Sequence, residues 1–456
     1  MISKIFATGD VAIDWFEVIS EPRVGPDSDD RENWDRYTNI CRIPAPGGTL
    51  MLAEMIRNAT KQEVTGPRLV AKLEEITPEQ AIHSEVSLDR IDKTNNYTIV
   101  QNRGYSGPPI GIQQLCLKSN DFIKYPSDAS GAELIVIDDT GNGFRNSVDL
   151  FPNNISEKAI VIYKVHSPLM RGALWRWMKD KSASHIDPTK IIVVINIDDI
   201  RRVSEVSIRS GLSWESTACD FIFQIRRQSR LAELADCSNL VVTIDTDGAI
   251  LYEGGEQGSC TLLYDAKRLE GGFRRETSAK IMGMTQGFTA LLASSLSDHG
   301  IEGLKEGVKQ GLAGMRVLQQ GGYEVSPTRV SLANISFEKV DGSFVYHEVK
   351  IPMRYDLNNP DPGYWQILDQ KTENIAENIA ENYLRTGKDK TLDSVPEIQF
   401  GKKLKTIDRM EIESYSAIQR LIREYLDNMK PEHPLCIAVF GAPGSGKSFT
   451  VDEIEK

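Results

Sequence analysis

The chain has 456 residues, 40% hydrophobic and 26% charged, with a formal net charge of −12. That length suits two or three domains of a globular protein, and the acidic surplus gives no general attraction for nucleic acid. No apolar run approaches the roughly eighteen residues of a membrane span. Met1–Asp10 turns polar too soon for a secretory signal. Cys41, Cys116, Cys219, Cys237, Cys260 and Cys436 form no CxxC pair, which argues against zinc and for a reducing, cytoplasmic setting.

Ile5–Trp15 reads as strand, tight turn and strand, with Asp10 and Asp14 on it. A polar stretch covers 21–37. Thr49 is placed to cap a helix over Leu50–Asn58. The spacing predicts a helix over Pro67–Leu73, a strand over Tyr97–Val100 and a loop over Gly104–Pro109, so that 60–130 forms a lid or insertion. Four short β-branched runs follow: Leu134–Ile137, Ala159–Ile162, Ile191–Ile195 and Leu240–Ile244. They alternate with helical patterns such as Leu169–Met178 and Trp214–Ile225. Continuous apolar strands separated by helices predict a mostly parallel sheet covered on both faces, a doubly wound α/β domain over about 1–322. Several runs end in polar clusters: Asp138–Arg145, Asn196–Asp199 and Asp245–Gly248. Ligands of such sheets bind beyond the carboxyl ends of the strands. Asp and Asn also simply begin turns.

Residues 323–405 read as a connector. Val330–Phe337 and Ser343–Ile351 flank Val340-Asp341-Gly342 and predict a hairpin. Gln370–Leu384 predicts a polar helix, and the basic stretches Arg385–Lys390 and Gly401–Lys405 a solvated linker. Asp408 opens an amphipathic helix that repeats Ile412, Tyr415, Ile418, Leu421, Ile422, Tyr425 and Met429 every three or four residues. Cys436–Phe440 then predicts a buried parallel strand. Gly441-Ala442-Pro443-Gly444-Ser445-Gly446-Lys447-Ser448 matches G-x-x-x-x-G-K-[ST], and Phe449–Ile454 can begin a helix. Glycines let amides turn inward onto phosphate oxygens. Lys447 is placed for the β- and γ-phosphates, and the Ser448 hydroxyl for Mg²⁺. This segment resembles the Walker A motif of P-loop NTPases. The resemblance implies ATP or GTP with Mg²⁺. Because the chain runs only to Lys456, 406–456 is expected to be the truncated start of an NTPase domain, part of a longer protein and unable to hydrolyse nucleotide alone.

The first domain carries a second likeness. Gly9-Asp10-Val11-Ala12-Ile13-Asp14 is similar to the opening motif of ribokinase-like (PfkB-type) sugar and nucleoside kinases. Gly47-Gly48 resembles their substrate-side glycine pair, and Val242–Ala249 their nucleotide-side strand and turn. Gly283-Met284-Thr285-Gln286 stands where that family has its G-A-G-D anion hole and catalytic Asp, so Gln286 takes the Asp position. The resemblance implies a cleft lined by Asp10, Asp14, Gly47, Gly48, Asn196, Asp245 and Gly283. An amide cannot accept a proton as a carboxylate does. The expectation is therefore a P-loop nucleotide-binding protein whose ribokinase-like domain senses a sugar- or nucleoside-like ligand. The alternatives are an active small-molecule kinase of the PfkB type and a non-catalytic interaction scaffold.

Overall fold

The computed structural model describes residues 2–19, 40–70, 72–77, 82–91, 94–106, 123–167, 170–255, 258–277, 279–332, 340, 344–353, 365–371, 381, 384–385, 390–427 and 434–455. Strand β1 (Lys4–Gly9) is buried almost throughout. Asp10 links it to β2 (Val11–Ile19), which pairs antiparallel with β3 (Ile40–Gly48). Helix α1 (Thr49–Ala59) follows without a break. Gly48, at φ 54°, is its N-cap, and Thr49 is the first helical residue rather than the cap. The Thr49 hydroxyl is drawn off to the Asp10 carbonyl at 2.8 Å. β4 (Glu63–Thr65) returns parallel to β1.

The helix expected over Pro67–Leu73 does not form. Arg68–Leu69 (β5) pairs with Ile123–Lys124 (β8), and a single 3₁₀ turn covers Leu73–Glu75. Leu69 and Leu73 pack on a small cluster containing Ile13, Trp15, Leu50 and Ile123, so tertiary packing overrides local preference. β6 (His83–Arg90) and β7 (Tyr97–Ser106) form the next antiparallel pair. β7 takes in Gly104–Ser106, expected to be loop; the rest of that stretch, with 21–37, lies outside the described residues.

β9 (Leu134–Asp139), β10 (Ile160–Val165), β11 (Ile191–Asn196) and β12 (Asn239–Ile244) join β1 in parallel, as their apolar runs predict. Their side chains alternate between two cores. Ile135 and Ile137 face one with α2 (Ala173–Lys179) and α3 (Trp214–Arg227). Leu134 and Val136 face the other with α1, α4 (Met284–His299) and α5 (Leu304–Gly321). α4 and α5 approach closely because a Cβ on Gly311 would lie 2.6 Å from the Phe288 ring. β13 (Gly248–Tyr252) and β14 (Cys260–Tyr264) extend the sheet antiparallel. The fold is α/β, with a mixed, mostly parallel sheet.

Among the described residues the two arms of the hairpin expected around Val340-Asp341-Gly342 do not pair with each other, and 333–339 and 341–343 lie outside the described residues. β15 (Tyr323–Ser326) and β16 (Arg329–Leu332) pair with each other and join a six-stranded sheet of order β16-β15-β7-β6-β2-β3. β17 (His347–Lys350) instead closes the nine-stranded sheet of order β17-β14-β13-β12-β11-β10-β9-β1-β4. Val349 and Ile351 are buried in the main core, which the edge of β14 offers and a local hairpin does not. Of the helix expected over Gln370–Leu384, Gln370 and Lys371 end the short helix Ile367–Lys371, and 372–380 lie outside the described residues.

β18 (Ile398–Phe400) and β19 (Leu404–Thr406) form a small hairpin ahead of α6 (Arg409–Asp427). The Asp408 carboxylate caps α6 by accepting from the Glu411 amide at 2.9 Å. Cys436–Phe440 forms no strand, contrary to expectation: it is exposed, Phe440 to 91%. An apolar run becomes a strand only where it pairs with another, and no described strand pairs with this one. α7 (Lys447–Glu455) does form and docks on the connector. The buried Glu453 carboxylate accepts from the Lys402 and Lys403 amides at 2.6 and 2.5 Å. No described helix is long and apolar enough to cross a membrane.

Candidate functional site

β1 ends at Gly9, where φ is 138° and a Cβ would overlap the Asp138 carbonyl oxygen. The chain passes so close that the Asp10 amide donates to that oxygen at 2.8 Å. The Asp10 side chain then turns under the loop that follows β9. One carboxylate oxygen accepts from the Phe144 amide at 2.9 Å. The other accepts from the Thr140 amide at 2.8 Å, the Thr140 hydroxyl at 3.0 Å and the Asn142 amide at 3.2 Å. Burial pushes its pKa up to about 6, opposed by these donors. Asp10 thus lies beneath the cleft with both oxygens engaged. Tyr125 adds a brace, accepting from the Gly9 amide at 2.8 Å and donating to the Gly9 carbonyl.

Asp14 is different. It is fully buried on β2, and one oxygen accepts the Ser84 hydroxyl at 2.7 Å. The other, Oδ2, has no hydrogen-bond partner. Gly47 lies across from it, and a Cβ there would sit 2.5 Å from Oδ2. Burial pushes Asp14 up to about 6 as well. A buried carboxylate oxygen without a donor costs roughly 1–3 kcal/mol or more. Tyr105 of β7, still 44% exposed, lies near the same place: partial desolvation first, then the Asp14 and Asp138 carboxylates, hold its phenol above its ordinary range.

Asp138 connects this corner to the strand ends. It accepts from Lys164 at 2.7 Å, and Lys164 in turn meets His166 Nε2 at 3.0 Å. Lys164 first, then burial, hold His166 down at about 3, so the imidazole is neutral and accepts. Gln286, on the first turn of α4, reaches Asp138 with its amide nitrogen at 3.4 Å. Gly283 begins that helix at φ 82°, and no side chain caps it. The helix therefore presents uncapped first-turn amides and the positive end of its dipole.

Asn196 caps the short helix Ile197–Arg201, accepting from the Asp198 amide at 2.8 Å. Asp245 adopts φ 47° after β12 and pairs with Arg274 at 3.3 Å. Beside it the buried Arg316 of α5 pairs with Asp247 and Asp265, both at 2.8 Å, and lies against the rings of Phe273, Phe344 and Tyr346. So Asp10, Asp14, Gly47, Gly48 and Gln286 gather at one end of the strand edge, with Gly283 at the head of the Gln286 helix, whereas Asn196 and Asp245 stand further along it. Gly441–Ser448 joins neither group through any hydrogen bond or ion pair among the described residues. Lys447 turns back onto its own loop, donating to the Gly441 and Ala442 carbonyls at 2.9 and 2.6 Å. Ser84, Tyr105, Tyr125 and Arg316 carry no sequence signal. The Asp138–Gly143 loop does, in its Asp, Thr and Gly content, but its partner Asp10 lies about 130 residues away.

No family model matches the chain, and no curated protein matches it. Solved structures do. A putative sugar kinase from Clostridium perfringens is 12% identical, with a TM-score of 0.42 over 77% of this chain and 99% of its own. A carbohydrate kinase from Agrobacterium tumefaciens is 14% identical, with a TM-score of 0.40 over 77% of this chain and all of its own. Ribokinase from Arabidopsis thaliana, complexed with ribose and ATP, is 12% identical, with a TM-score of 0.38 over 75% and 99% of the two chains.

Proposed function

We propose that the cleft binds a polyhydroxylated small molecule, a sugar or a nucleoside, and that the chain is a small-molecule kinase by design, using ATP with Mg²⁺. The observation that carries this is the unpartnered Asp14 Oδ2, buried and facing the bare backbone of Gly47. A ligand hydroxyl donating there would supply the missing hydrogen bond, and only glycine leaves room for it. The uncapped start of α4 suits the phosphate of a nucleotide. Among the described residues no group of three acidic, His or Cys side chains forms a metal site, so Mg²⁺ would arrive on the nucleotide.

Gln286 sets the rate. With an amide at the helix start, the ligand hydroxyl has no proton acceptor on α4, and loss of a general base costs ~10²–10⁴-fold. The residues thus hold and orient both ligands while transfer is slow. The test is calorimetry against sugars, nucleosides and ATP–Mg²⁺, with transfer of labelled γ-phosphate measured alongside. One polyhydroxylated ligand should bind, and Asp14→Asn should abolish that binding. Gln286→Asp should speed transfer to the same ligand by at least tenfold. Absence of heat with every sugar and nucleoside would overturn the reading.

A further inference from the structure

A cavity of about 950 Å³, with Asp14 not in its lining, opens where the connector and the C-terminal helix dock on the α/β body. Its inner wall is the segment Lys267–Glu276, and its outer wall comes from β18, α6 and α7. Basic residues outnumber acidic ones in its lining, although the chain as a whole carries −12.

Most of those charges are already matched. Arg201 is held by Glu270, Arg268 by Glu276 at 2.7 Å, Arg274 by Asp245 at 3.3 Å and Arg420 by Glu424 at 2.8 Å. Arg275 and Arg423, together with Lys267 and Glu455, form no ion pair among the described residues. Among the described residues Arg275 donates only to the Glu270 carbonyl at 3.3 Å, and Arg423 only to the Gln419 side chain at 3.2 Å. They approach from opposite walls. Burial first, then the Arg423 guanidinium, hold Arg275 below its ordinary value, against the pull of the Asp247 and Asp245 carboxylates. Two unmatched guanidiniums turned toward one cavity repel each other unless an anion lies between them. Guanidinium forks fit the oxygens of phosphate groups, and two forks from opposite walls fit more than one such group.

We propose that this cavity is a binding site for a small molecule bearing two or more phosphate groups, with Arg275 and Arg423 as its clamps. Because Arg423 belongs to α6, the ligand ties the connector to the α/β body. Asp245, expected from the sequence in the cleft, lines this cavity instead, but none of Asp10, Asp14, Gly47, Gly48 and Gln286 does, so this site and the Asp14 cleft succeed or fail separately.

The experiment titrates the full chain with sodium tripolyphosphate, and with orthophosphate as the monovalent-site control, by calorimetry. Tripolyphosphate is expected to bind with one-to-one stoichiometry and more tightly than orthophosphate. Arg275→Ala and Arg423→Ala should each weaken it at least tenfold, and Asp14→Asn should leave it unchanged. Arg423→Glu guards against a folding artefact. It places a carboxylate opposite Arg275, so the unliganded protein should melt no lower than the parent while tripolyphosphate binding is lost. ATP displacing tripolyphosphate would identify a nucleotide as one such ligand and supports the site. No heat with tripolyphosphate, or heat that neither Arg variant alters, overturns it.

Discussion

Two glycine-bearing loops in this chain face the same physical problem in opposite ways. The loop Asp138–Phe144 turns the amides of Thr140, Asn142 and Phe144 toward one point, and the Asp10 carboxylate occupies that point. The loop Gly441–Ser448 has the better-known motif, yet it stays exposed and Lys447 folds back onto its own carbonyls. Converging amides need an anion and a scaffold. The first loop has both within the chain: a buried carboxylate, and β9 between two parallel neighbours. The second has neither among the described residues. A motif records which amides could converge, while the neighbouring strands decide whether they are held.

The sharpest way to test that contrast is one substitution at two glycines. Both Gly9 and Gly444 have positive φ, at 138° and 79°. At Gly9 the new Cβ would strike the Asp138 main chain, whereas at Gly444 it meets nothing within 4 Å. Gly9→Ala should cost more than ~4 kcal/mol, enough to prevent accumulation of folded protein. Gly444→Ala should cost only the left-handed backbone strain, about 1–2 kcal/mol on thermal melting. Equal melting points for the two variants would remove the distinction. Next in size is Arg316→Ala, which strands Asp247 and Asp265 in the core. Loss of a buried partner of this kind costs about 3–5 kcal/mol, read as a lower denaturation midpoint at unchanged slope.

These effects also show what a reader of the sequence could find. The parallel strands were legible because alternate residues such as Leu134 and Ile135 are apolar on both faces, which little besides a covered sheet requires. The place of β17 was not, because Tyr264 pairs with His347 across some eighty residues and nothing local announces it. Asp14 was legible as a candidate from its motif, but its orphaned oxygen appears only once Gly47 and Ser84 are set beside it. Cys436–Phe440 misled for the converse reason: its composition is that of a buried strand, but composition brings no neighbour.

A smaller effect concerns pH. Asp10 and Asp14 have folded pKa values of about 6 against ordinary values of 3.8. Between those limits the folded state binds more protons than the unfolded state, so stability falls as pH rises from about 4 to about 6, then levels off. Each shift corresponds to roughly 3 kcal/mol. Asp14→Asn removes one ionisation, since an amide has no charge to desolvate. The variant should therefore melt higher than the parent at pH 7, match it near pH 4, and bind no sugar or nucleoside. Gain of stability with loss of binding marks a residue kept for its ligand rather than for the fold. A variant less stable at pH 7 would place Asp14 among structural groups such as Asp10.

The smallest expected effects lie at the C-terminal loop, and they bear directly on the motif. Among the described residues Lys447 makes its hydrogen bonds only to Gly441, Ala442 and Ser445, all within the exposed loop. Lys447→Ala should leave the melting point within ~0.5 kcal/mol of the parent, as for other surface substitutions. If ATP binds through the α4 end of the cleft, its affinity is also untouched. Glu453→Gln is the matching variant at the far end of α7. It keeps the shape but halves the charge-assisted grip on the Lys402 and Lys403 amides, loosening α7 by about 1 kcal/mol. That loosening should appear as faster amide exchange in 447–455 with no change in α4 or β9. A tenfold loss of ATP affinity in Lys447→Ala would instead give the loop the role its motif implies, and show that its amides can be organised by the nucleotide itself.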